Sequence, residues 1–444
     1  MKTRTSIGSL PRHVGELVRV CAFLKRIRDQ KTVQFLILRN NTGLVQAVIE
    51  KNDANKTLNE IISSLTPESS LEVEGTVIAN EKASLGGVEI QISAVRIANL
   101  AATPLPIDFS ERFETNIDSR MDWRHLDLRS PENLLIFKIQ TFAEAAMREF
   151  WLQEGFIEIH SPKILGTPSE GGAEVFEIKK YFEMPYACLA QSPQFYKQMA
   201  QASGFDRVFE IGPVFRADPS FTGRHCTQFT GVDMEMSWTE SHHDVMAHEE
   251  RWLTHVIKRV KETYGDAIKE TFGVDLKVPQ IPYPRVTMAE AVEIVRATGH
   301  EPAQSSSYVD LDHPGELILG KHVLEKTGCE LVFLTDFPVS VRPFYQKRIE
   351  GNPTLTQSYD LLWNGLEITT GTQREHRYDV LLAQAKEKKL SQEPLQFYLD
   401  FFKYGCPPHG GFGLGLERLL MQLTGLKTIR EASYLFRGPT RLTP

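Results

Sequence analysis

The hydrophobic pattern of the chain changes its period at a proline-containing segment, residues 102–109 (TPLPIDF preceded by Ala102). Ahead of this segment, residues 71–77 (LEVEGTV) and 88–92 (VEIQI) alternate apolar and polar side chains, which predicts half-buried strands. Beyond it, apolar side chains recur at helical spacing through residues 134–153, which predicts a long amphipathic helix. We therefore expect one domain of short strands and a second that mixes helices with strands.

We place the first domain at residues 1–101, a linker at 102–130 and the second domain at 131–444. The short strands of the first domain suit a closed barrel of the OB-fold type, which commonly binds single-stranded nucleic acid, although composition also allows another small β domain. The second domain lacks a parallel βαβ repeat, which favours an α+β fold. Its predicted helices are 242–263, 287–297, 378–388 and 392–402, and its predicted strands are 206–216, 228–238, 330–336 and 357–371.

The net charge argues weakly against a nucleic-acid partner, but the distribution of charge does not. The 444 residues carry a formal net charge of −7, whereas the first 40 hold nine Lys and Arg against two acidic residues. A basic stripe on one module is expected where a phosphate backbone binds. A solvated basic terminus fits the same count.

Membrane and secreted classes are disfavoured by the apolar pattern. No apolar stretch reaches the length of about 18 residues that a membrane span needs, and the start, MKTRTSIGSLPRH, has no apolar segment after its basic residues. The five cysteines are scattered and form no CxxC pair. We therefore expect a cytoplasmic protein without disulfides or structural zinc.

One polar segment with candidate chemistry is Phe209–Met236, which reads as a hairpin. Its Arg216, Arg224 and His225 can clamp phosphates, and Phe229 can stack on a base. The chain contains neither a P-loop nor an early Rossmann fingerprint, so a nucleotide site must be built another way. Taken alone, such arginines more often form solvated surface pairs.

Two further segments hold candidate ligands. In residues 358–374 (SYDLLWNGLEITTGTQR), Asp360 and Glu367 can share Mg²⁺ only if the Asn-Gly pair between them makes a turn. In residues 411–420 (GFGLGLERLL), the glycines allow close approach of the backbone, and Arg418 lies at a predicted helix start. Each of these segments also has an ordinary structural explanation when considered singly.

In their order along the chain, these segments resemble the signature motifs of class II aminoacyl-tRNA synthetases. FRADPSFTGRH (215–225) resembles motif 2, and GFGLGLERLL (411–420) resembles motif 3. The long helix and the strand that ends at Pro162 are similar to motif 1, which forms the dimer interface in that family. The resemblance covers residues 15–444 and implies an antiparallel catalytic sheet flanked by helices. It also implies ATP as a substrate, Mg²⁺ as a cofactor, tRNA as a partner and a homodimer.

Shorter segments narrow the resemblance to aspartyl-tRNA synthetases of the archaeal and eukaryotic kind. They are RHLDLR (124–129), SEGGAEVF (169–176), QSPQFYKQ (191–198), GTQREHRYD (371–379) and RLTP (441–444). A planar guanidinium and a point-charge ammonium suit the carboxylate of an aspartate side chain, and asparaginyl enzymes typically lack the lysine of QSPQFYK. The residues that the resemblance implies for L-aspartate binding are Glu170, Gln194, Lys197, Asp233, Glu235 and Arg374.

The same resemblance implies the remaining site residues. Those expected to be catalytic are Arg216, Arg418 and His225. Those expected to contact ATP are Arg216, Asp218, Arg224, His225, Phe229, Glu367, Gly415 and Arg418. Those expected to hold Mg²⁺ are Asp360 and Glu367. In the barrel, the residues whose spacing matches the anticodon-reading set of the family are Arg28, Phe35 and Gln46.

Several residues depart from the family pattern near the expected ATP site and tRNA end. Asp218 stands where motif 2 has glutamate, Pro219 and Phe221 replace polar loop residues, and FRGP (436–439) replaces FPRDP before the tail. Three functions therefore stay open. They are an aspartate–tRNA ligase that charges tRNA(Asp) with or without tRNA(Asn), a paralogue that passes activated aspartate to another acceptor, and an inactive RNA-binding protein. The intact motif arginines argue against the last, and an asparaginyl enzyme is the nearest alternative in substrate.

Overall fold

A computed structural model describes residues 4–80, 86–108, 115–169, 175–179, 181–183, 186–218, 222–304 and 309–444. The chain divides into two compact units, Met1–Leu134 and Leu135–Pro444. This division falls inside the helix Pro131–Gln153. The domain boundaries drawn from the sequence at residues 101 and 130 stay predictions.

The first unit is built on a closed barrel of the kind that the alternating sequence predicts. Its strands are β1 (Leu17–Asp29), β2 (Val33–Asn40), β3 (Gly43–Glu50), β4 (Ser70–Ala79) and β5 (Val88–Asn99). They close in the order β1-β2-β3-β5-β4. Leu71, Val73 and Val77 of β4 are buried in the barrel core, as their alternation with polar residues requires.

Short helices complete the described part of this unit. They are α1 (Lys56–Ser63), α2 (Ile117–Asp122) and α3 (Arg124–Asp127), with 3₁₀ turns at Ile7–His13 and Asp53–Asn55. Helices α2 and α3 lie in the region predicted to be a linker. There the buried Asp127 accepts a hydrogen bond from Arg120 Nε at 2.8 Å and pairs with Arg124, so a cluster of charges stabilises this segment.

The second unit contains the remaining strands. They are β6 (Ile157–Glu158), β7 (Ile164–Leu165), β8 (Cys188–Leu189), β9 (Arg207–Phe215), β10 (Gln228–Ser237), β11 (Arg285–Thr287), β12 (Ala303–Gln304), β13 (Val309–Asp310), β14 (Leu331–Thr335), β15 (Arg348–Ile349), β16 (Asn352–Thr356), β17 (Ser358–Trp363), β18 (Leu366–Gln373) and β19 (His409–Gly415). In the described residues, eight of them form one sheet in the order β11-β14-β17-β18-β19-β10-β9-β6. The inner pairs are antiparallel as predicted, whereas each edge strand, β6 and β11, pairs in parallel with its neighbour.

Helices flank this sheet, which confirms the α+β prediction. They are α4 (Pro131–Gln153), α5 (Gln194–Ala202), α6 (His242–Phe272), α7 (Met288–Arg296), α8 (His313–Thr327), α9 (Tyr378–Glu387), α10 (Gln396–Lys403), α11 (Leu416–Thr424) and α12 (Ile429–Ala432), with a 3₁₀ turn at Glu393–Leu395. The sequence predicted neither α5 nor α8 as a helix. Among the described residues, none of the helices combines the length and the apolar character that crossing a bilayer requires.

Aromatic stacking between α4 and α6 forms the centre of the hydrophobic core of the second unit. The rings of Trp151 and Trp252 stack with centroids 4.8 Å apart, and Trp151 also stacks on Phe209 of β9 at 4.7 Å. Helix α6 starts at a capping box formed by Ser241 and Asp244, which satisfies its first backbone N–H groups. These contacts fix α4 and α6 on the sheet whose strands carry the candidate site.

A buried histidine makes this core sensitive to acid. His248 Nε2 accepts the indole N–H of Trp151 at 3.3 Å, and only a neutral imidazole offers such an acceptor. Burial lowers the pKa of His248 to about 3, with the neighbouring charge of Arg251 acting in the same direction. The unfolded chain, whose histidine pKa is about 6.5, therefore binds the proton first, so the stability tied to neutral His248 is complete above about pH 6.5 and is lost as the pH falls towards 3.

We predict that the free energy of unfolding of the wild-type protein falls with acidification more steeply than that of His248→Gln. The difference between the two should change by about 1.4 kcal/mol per pH unit between about pH 6 and pH 4. Urea unfolding at a series of pH values measures it, with His322→Gln as the control on another helix. A difference that stays constant with pH would show that the folded protein tolerates the charged ring.

Candidate functional site

A cavity of about 400 Å³ lies on the face of the sheet formed by β9, β10, β18 and β19. Residues that are far apart in the sequence meet in its walls. The predicted site residues that line it are Gln194, Lys197, Arg216, Asp218, Arg224, His225, Phe229, Asp233, Glu367, Arg374, Gly415 and Arg418. The strands and the first turns of α5 and α11 therefore bring the candidate amino-acid and nucleotide residues into one site.

Lys197 of α5 is almost completely buried at one end of this cavity. Its Nζ donates to Asp233 Oδ1 at 2.9 Å and to the backbone carbonyls of Phe412 and Met234 at 3.1 and 3.4 Å. Glu235 Oε2 lies 3.4 Å from the same nitrogen. Burial of an ammonium group is costly without such partners, so the surrounding oxygens hold this side chain in one place.

Arg374, at the end of β18, forms the second buried cation. Its Nε and Nη2 donate to the two carboxylate oxygens of Glu235 at 2.9 and 3.2 Å, which makes a bidentate pair. Burial acts to raise the pKa of Glu235, but the charges of Arg374 and Lys197 outweigh burial and hold this pKa below its usual range. Glu235 is fully buried, whereas Lys197, Asp233 and Arg374 line the cavity. Glu235 therefore affects a ligand indirectly, by orienting the side chains of Lys197 and Arg374.

The glycines of β19 make room for these carboxylates. A Cβ at Gly411 would lie 2.1 Å from Met234 O and 2.4 Å from Glu235 Oε2, and a Cβ at Gly413 would lie 2.9 Å from Asp233 Oδ1. A side chain at either position would displace the acids that hold Lys197 and Arg374. The close approach that the sequence pattern indicated thus serves the amino-acid end of the cavity.

Arg216, which directly follows β9, and Phe229, near the start of β10, lie side by side at the loop end of the β9–β10 hairpin. Arg216 N–H donates to Thr227 O at 2.9 Å, and the guanidinium carbon lies 5.5 Å from the centre of the Phe229 ring. Thr227 N–H in turn donates to Arg437 O at 3.0 Å, so the FRGP segment pairs with this hairpin. A cation next to an aromatic face suits a phosphate attached to a purine base.

Arg224 and His225 extend this end of the cavity. His225 Nδ1 is hydrogen-bonded to Thr222 Oγ1. Burial, together with the charges of Arg418 and Arg224, lowers the pKa of His225, so its ring is mainly neutral at pH 7. Arg224 Nη1 donates to Glu316 Oε2 at 2.8 Å and to His313 Nδ1 at 2.9 Å. Helix α8 therefore supplies partners to a cation that the sequence assigned to phosphate binding.

Asp360 and Glu367 lie on the two strands of the β17–β18 hairpin. Its turn residues, Asn364 and Gly365, have φ angles of 49° and 76°, as a two-residue hairpin turn requires. A β-bulge shifts the register before the turn. Thr370 pairs with Asp360 across the strands and donates to Glu367 Oε1 at 3.2 Å, which keeps the two acids in one neighbourhood.

The two acids differ in their electrostatic surroundings. Burial raises the pKa of Asp360 to about 6, against the opposing charge of Arg342. The Glu367 side chain is partly exposed in the cavity wall, and although its partial desolvation acts to raise its pKa, the charges of Arg418 and Arg342 hold this pKa below the usual range. Arg418 Nη1 donates to the backbone carbonyl of Glu367 at 2.8 Å. Within the described residues, Asp360 Oδ1 is buried without a hydrogen-bond partner, which leaves a donor oxygen suited to a hard divalent cation.

Several residues that line the cavity were missed by sequence reasoning, among them Arg342, Tyr345 and Gln346. Arg342 Nη2 lies 2.8 Å from Asp360 Oδ2, and its guanidinium carbon lies 3.7 Å from the centre of the Phe337 ring. These residues belong to an irregular connection between β14 and β15, where no hydrophobic period marks them. The cluster of aromatic and cationic letters in RPFYQK (342–347) was a signal that could have indicated them.

Some expected site residues lie outside the described residues. They are Glu170 of the expected amino-acid site and Pro219 and Phe221 of motif 2.

The three barrel residues also come together. Arg28 pairs with Phe35 across β1 and β2, and its guanidinium carbon lies 5.4 Å from the centre of the ring. Arg28 Nη2 donates to Gln46 Oε1 at 2.7 Å, and Gln46 Nε2 donates to Glu89 Oε2 at 2.9 Å. The sequence did not indicate Glu89, which orients the amide. An arginine, an aromatic ring and an oriented amide suit an unstacked nucleobase.

We predict that Glu235→Gln lowers the free energy of unfolding by about 3 kcal/mol, because it removes a carboxylate from two buried cations while keeping the side-chain volume. Urea unfolding at neutral pH measures the change. Glu240→Gln, at an exposed position just beyond β10, is the matched control and should leave the midpoint where it is in the wild type. Equal midpoints for both variants would mean that Glu235 does not stabilise the folded chain.

Comparison with known proteins agrees with this geometry. The family of class II tRNA synthetases (D, K and N) matches residues 116–437, and the family of OB-fold nucleic acid binding domains matches residues 18–98. Similar curated proteins include the aspartate–tRNA(Asp) ligase of Pyrococcus abyssi, which is 42% identical over 430 residues, with 97% of each chain covered. They also include the aspartate–tRNA(Asp/Asn) ligase of Methanopyrus kandleri, which is 43% identical over 436 residues and covers 98% of this chain and 97% of the relative.

Among solved structures, the asparaginyl-tRNA synthetase of Pyrococcus horikoshii in complex with asparaginyl-adenylate superposes with a TM-score of 0.92 at 32% identity, with all of both chains covered. Both the barrel and the catalytic sheet thus have counterparts in one known architecture. The ordered motifs, the cavity they line and the matches over nearly the whole chain lead to one assignment. The chain belongs to the class II tRNA synthetases of the D, K and N group and carries an OB-fold nucleic acid binding domain ahead of its catalytic domain.

Proposed function

We propose that the protein is an aspartate–tRNA ligase, which activates L-aspartate with ATP and transfers it to tRNA. The observation that carries this proposal is the pair of buried cations, Lys197 and Arg374, in the wall of one cavity beside Asp233. Curated relatives that are named aspartate–tRNA ligases and match nearly the whole chain support it.

The charges of the pocket favour aspartate over asparagine. Lys197 and Arg374 are balanced by Asp233 and Glu235 before any ligand binds. A substrate ammonium that pairs with Asp233 takes one partner from Lys197, and a side-chain carboxylate on the same substrate replaces that partner. The neutral amide of asparagine does not, so a buried ammonium would lose part of its compensation.

The chemistry requires positioning and charge stabilisation. The α-carboxylate of aspartate is already ionised and attacks the α-phosphorus of ATP, and pyrophosphate leaves. Arg216 is suited to the α-phosphate, Arg418 and Arg224 to the far end of the triphosphate, and Phe229 to the adenine ring. A ribose hydroxyl of the tRNA then attacks the carbonyl carbon of the adenylate, and AMP leaves.

Asp360 and Glu367 are the residues that would hold Mg²⁺, which neutralises charge on the phosphates when bound. The unpartnered Oδ1 of Asp360 supports this assignment. No group of three or more metal-ligating side chains occurs in the described part of the chain, so oxygens of the nucleotide and water would have to complete the coordination. We further propose a cytoplasmic homodimer, on the motif 1 resemblance and on the five cysteines, all of which are free.

Two alternatives have specific support. The superposition on an asparaginyl enzyme supports asparagine as the alternative amino acid. The changed motif 2 and tail, which are joined by the hydrogen bond from Thr227 N–H to Arg437 O, support the alternative of an acceptor other than tRNA, because they depart from the family pattern near the expected tRNA end. The similar curated proteins include ligases named for tRNA(Asp) and ligases named for both tRNA(Asp) and tRNA(Asn). We therefore propose either tRNA(Asp) or both tRNAs as substrates.

We predict that L-aspartate drives ATP–pyrophosphate exchange by the wild-type protein and that L-asparagine does so at least about 100-fold less efficiently. Lys197→Met should lower kcat/KM for aspartate by about 100-fold, because it leaves a substrate carboxylate undercompensated. Lys258→Met, at an exposed position of α6, is the control. More efficient exchange with asparagine would favour the asparaginyl alternative, and absence of exchange with either amino acid would reject the activation step.

We predict that Phe35→Ala and Glu89→Gln raise the KM for tRNA in the charging reaction and leave the exchange reaction unchanged. Loss of one stacked base contact corresponds to a change of about tenfold or more. Transcripts of tRNA(Asp) and tRNA(Asn), compared side by side, measure acceptor specificity, and Lys56→Ala on the exposed side of α1 is the control. If neither tRNA accepts aspartate while exchange proceeds, the proposed acceptor is wrong and the paralogue is favoured.

A further inference from the structure

Helix α8, which the sequence patterns did not predict, contacts the nucleotide end of the cavity. In its first turn, Glu316 Oε2 accepts a hydrogen bond from Arg224 Nη1 at 2.8 Å, and His313 Nδ1 lies 2.9 Å from the same nitrogen. Arg224 lines the cavity together with Arg216 and Arg418. The helix therefore holds one of the cations that face the expected triphosphate.

The backbone of the same helix packs directly against the β17–β18 turn, with no side chain between them. A Cβ at Gly320 would lie 2.6 Å from Gly365 N, and a Cβ at Gly365 would lie 2.6 Å from Leu317 Cα. The backbone of α8 thus rests directly on the turn between the strands of Asp360 and Glu367. A contact of this kind allows little change in the distance between helix and hairpin.

The start of α8 is fixed as well. The Asp312 side chain accepts the backbone N–H of Gly315 at 3.0 Å and pairs with His300 Nε2 at 2.8 Å. A capped first turn sets the direction of the side chains that follow it. Glu316 is therefore aimed at Arg224 by a helix that is held at its cap and along its length.

The contact between Glu316 and Arg224 is largely shielded from water. Their side chains are 15% and 23% exposed, whereas a fully solvated pair would contribute little. Burial and the neighbouring carboxylate of Glu367 raise the pKa of Glu316 to about 7, against the opposing charges of Arg224 and Arg418. The acid therefore lies in a crowded group of charges, where its direct hydrogen bond from Arg224 decides the orientation of both side chains.

We propose that Glu316 is a positioning residue for ATP: through α8 it sets the distance between Arg224 and the hairpin of Asp360 and Glu367. In this arrangement the helix is a rigid spacer between a cation of the motif 2 segment and the two acids proposed to hold Mg²⁺. The inference rests on the proposed function, in which the triphosphate lies between these groups.

The test compares the exchange reaction of Glu316→Ala and Glu316→Gln with that of the wild type. We expect the alanine variant to raise the KM for ATP by about tenfold, as the loss of one charged hydrogen bond predicts, and to change the KM for aspartate by less than about twofold. The glutamine variant keeps an acceptor for Arg224 and should show a smaller rise. Glu325→Ala, on an exposed turn of the same helix, is the control and should match the wild type.

A double-mutant cycle separates positioning from helix stability. If Glu316 acts through Arg224, the double variant Glu316→Ala/Arg224→Ala has the same KM for ATP as Arg224→Ala alone. Additive effects, or equal losses in the KM for ATP and for aspartate with a lowered thermal midpoint, would overturn the proposal in favour of a packing role. The exchange activity of the wild-type protein distinguishes a failure of the proposed function from a failure of the inference on Glu316. Its absence rejects the proposed function, whereas its presence with unaffected Glu316 variants rejects this inference alone.

Discussion

The amino-acid end of the site depends on one buried carboxylate, Glu235, which two cations from different parts of the chain share. Lys197 comes from α5 and Arg374 directly follows β18, and both approach Glu235 on the inner strand β10. Because the acid is completely buried, water does not compete for these contacts. The cations are consequently oriented before a ligand arrives, and little reorganisation is needed when it binds.

The same arrangement recurs at the other candidate contacts. Gln46 in the barrel is oriented by Glu89, and Arg224 is oriented by Glu316. In each case an acidic side chain accepts a hydrogen bond from a residue that the sequence assigned to ligand binding. The side chains that bind the substrates of a synthetase must be strongly polar and must keep a fixed orientation when no substrate is bound. A hydrogen bond to an acidic partner provides this orientation.

Much of this organisation could be predicted from the sequence, but only for residues with a local pattern. Alternation identified the barrel strands, and the motif letters around Arg216 and Arg418 identified two walls of the cavity. The Asn-Gly dipeptide identified the hairpin turn, since positive φ angles at both positions favour this pair. These features depend on neighbours within a few residues.

What the sequence did not predict depends on contacts between distant segments. Glu89 and Glu316 are ordinary acidic residues in their own strand and helix, and their partners lie far away in the chain. Helix α8 meets the hairpin backbone at Gly320, where a larger side chain would clash, so this contact adds no apolar residue to its sequence pattern. Arg342 lies in a connection without a period. Tertiary packing decides all four features, and a single sequence does not record it.

The position of β19 in the sheet has a consequence for synthesis on the ribosome. This strand lies between β18 and β10, yet it follows both in the chain. A nascent chain that ends before His409 therefore lacks the strand that lies between β10, which carries Asp233 and Glu235, and β18, which Arg374 directly follows. Two unpaired edges of this kind are the surfaces on which incomplete sheets misassociate. The catalytic sheet is therefore completed only when the glycine-rich strand β19 has been synthesised. A chain that is interrupted earlier contains the charged residues of the amino-acid pocket, but they are not assembled into a pocket.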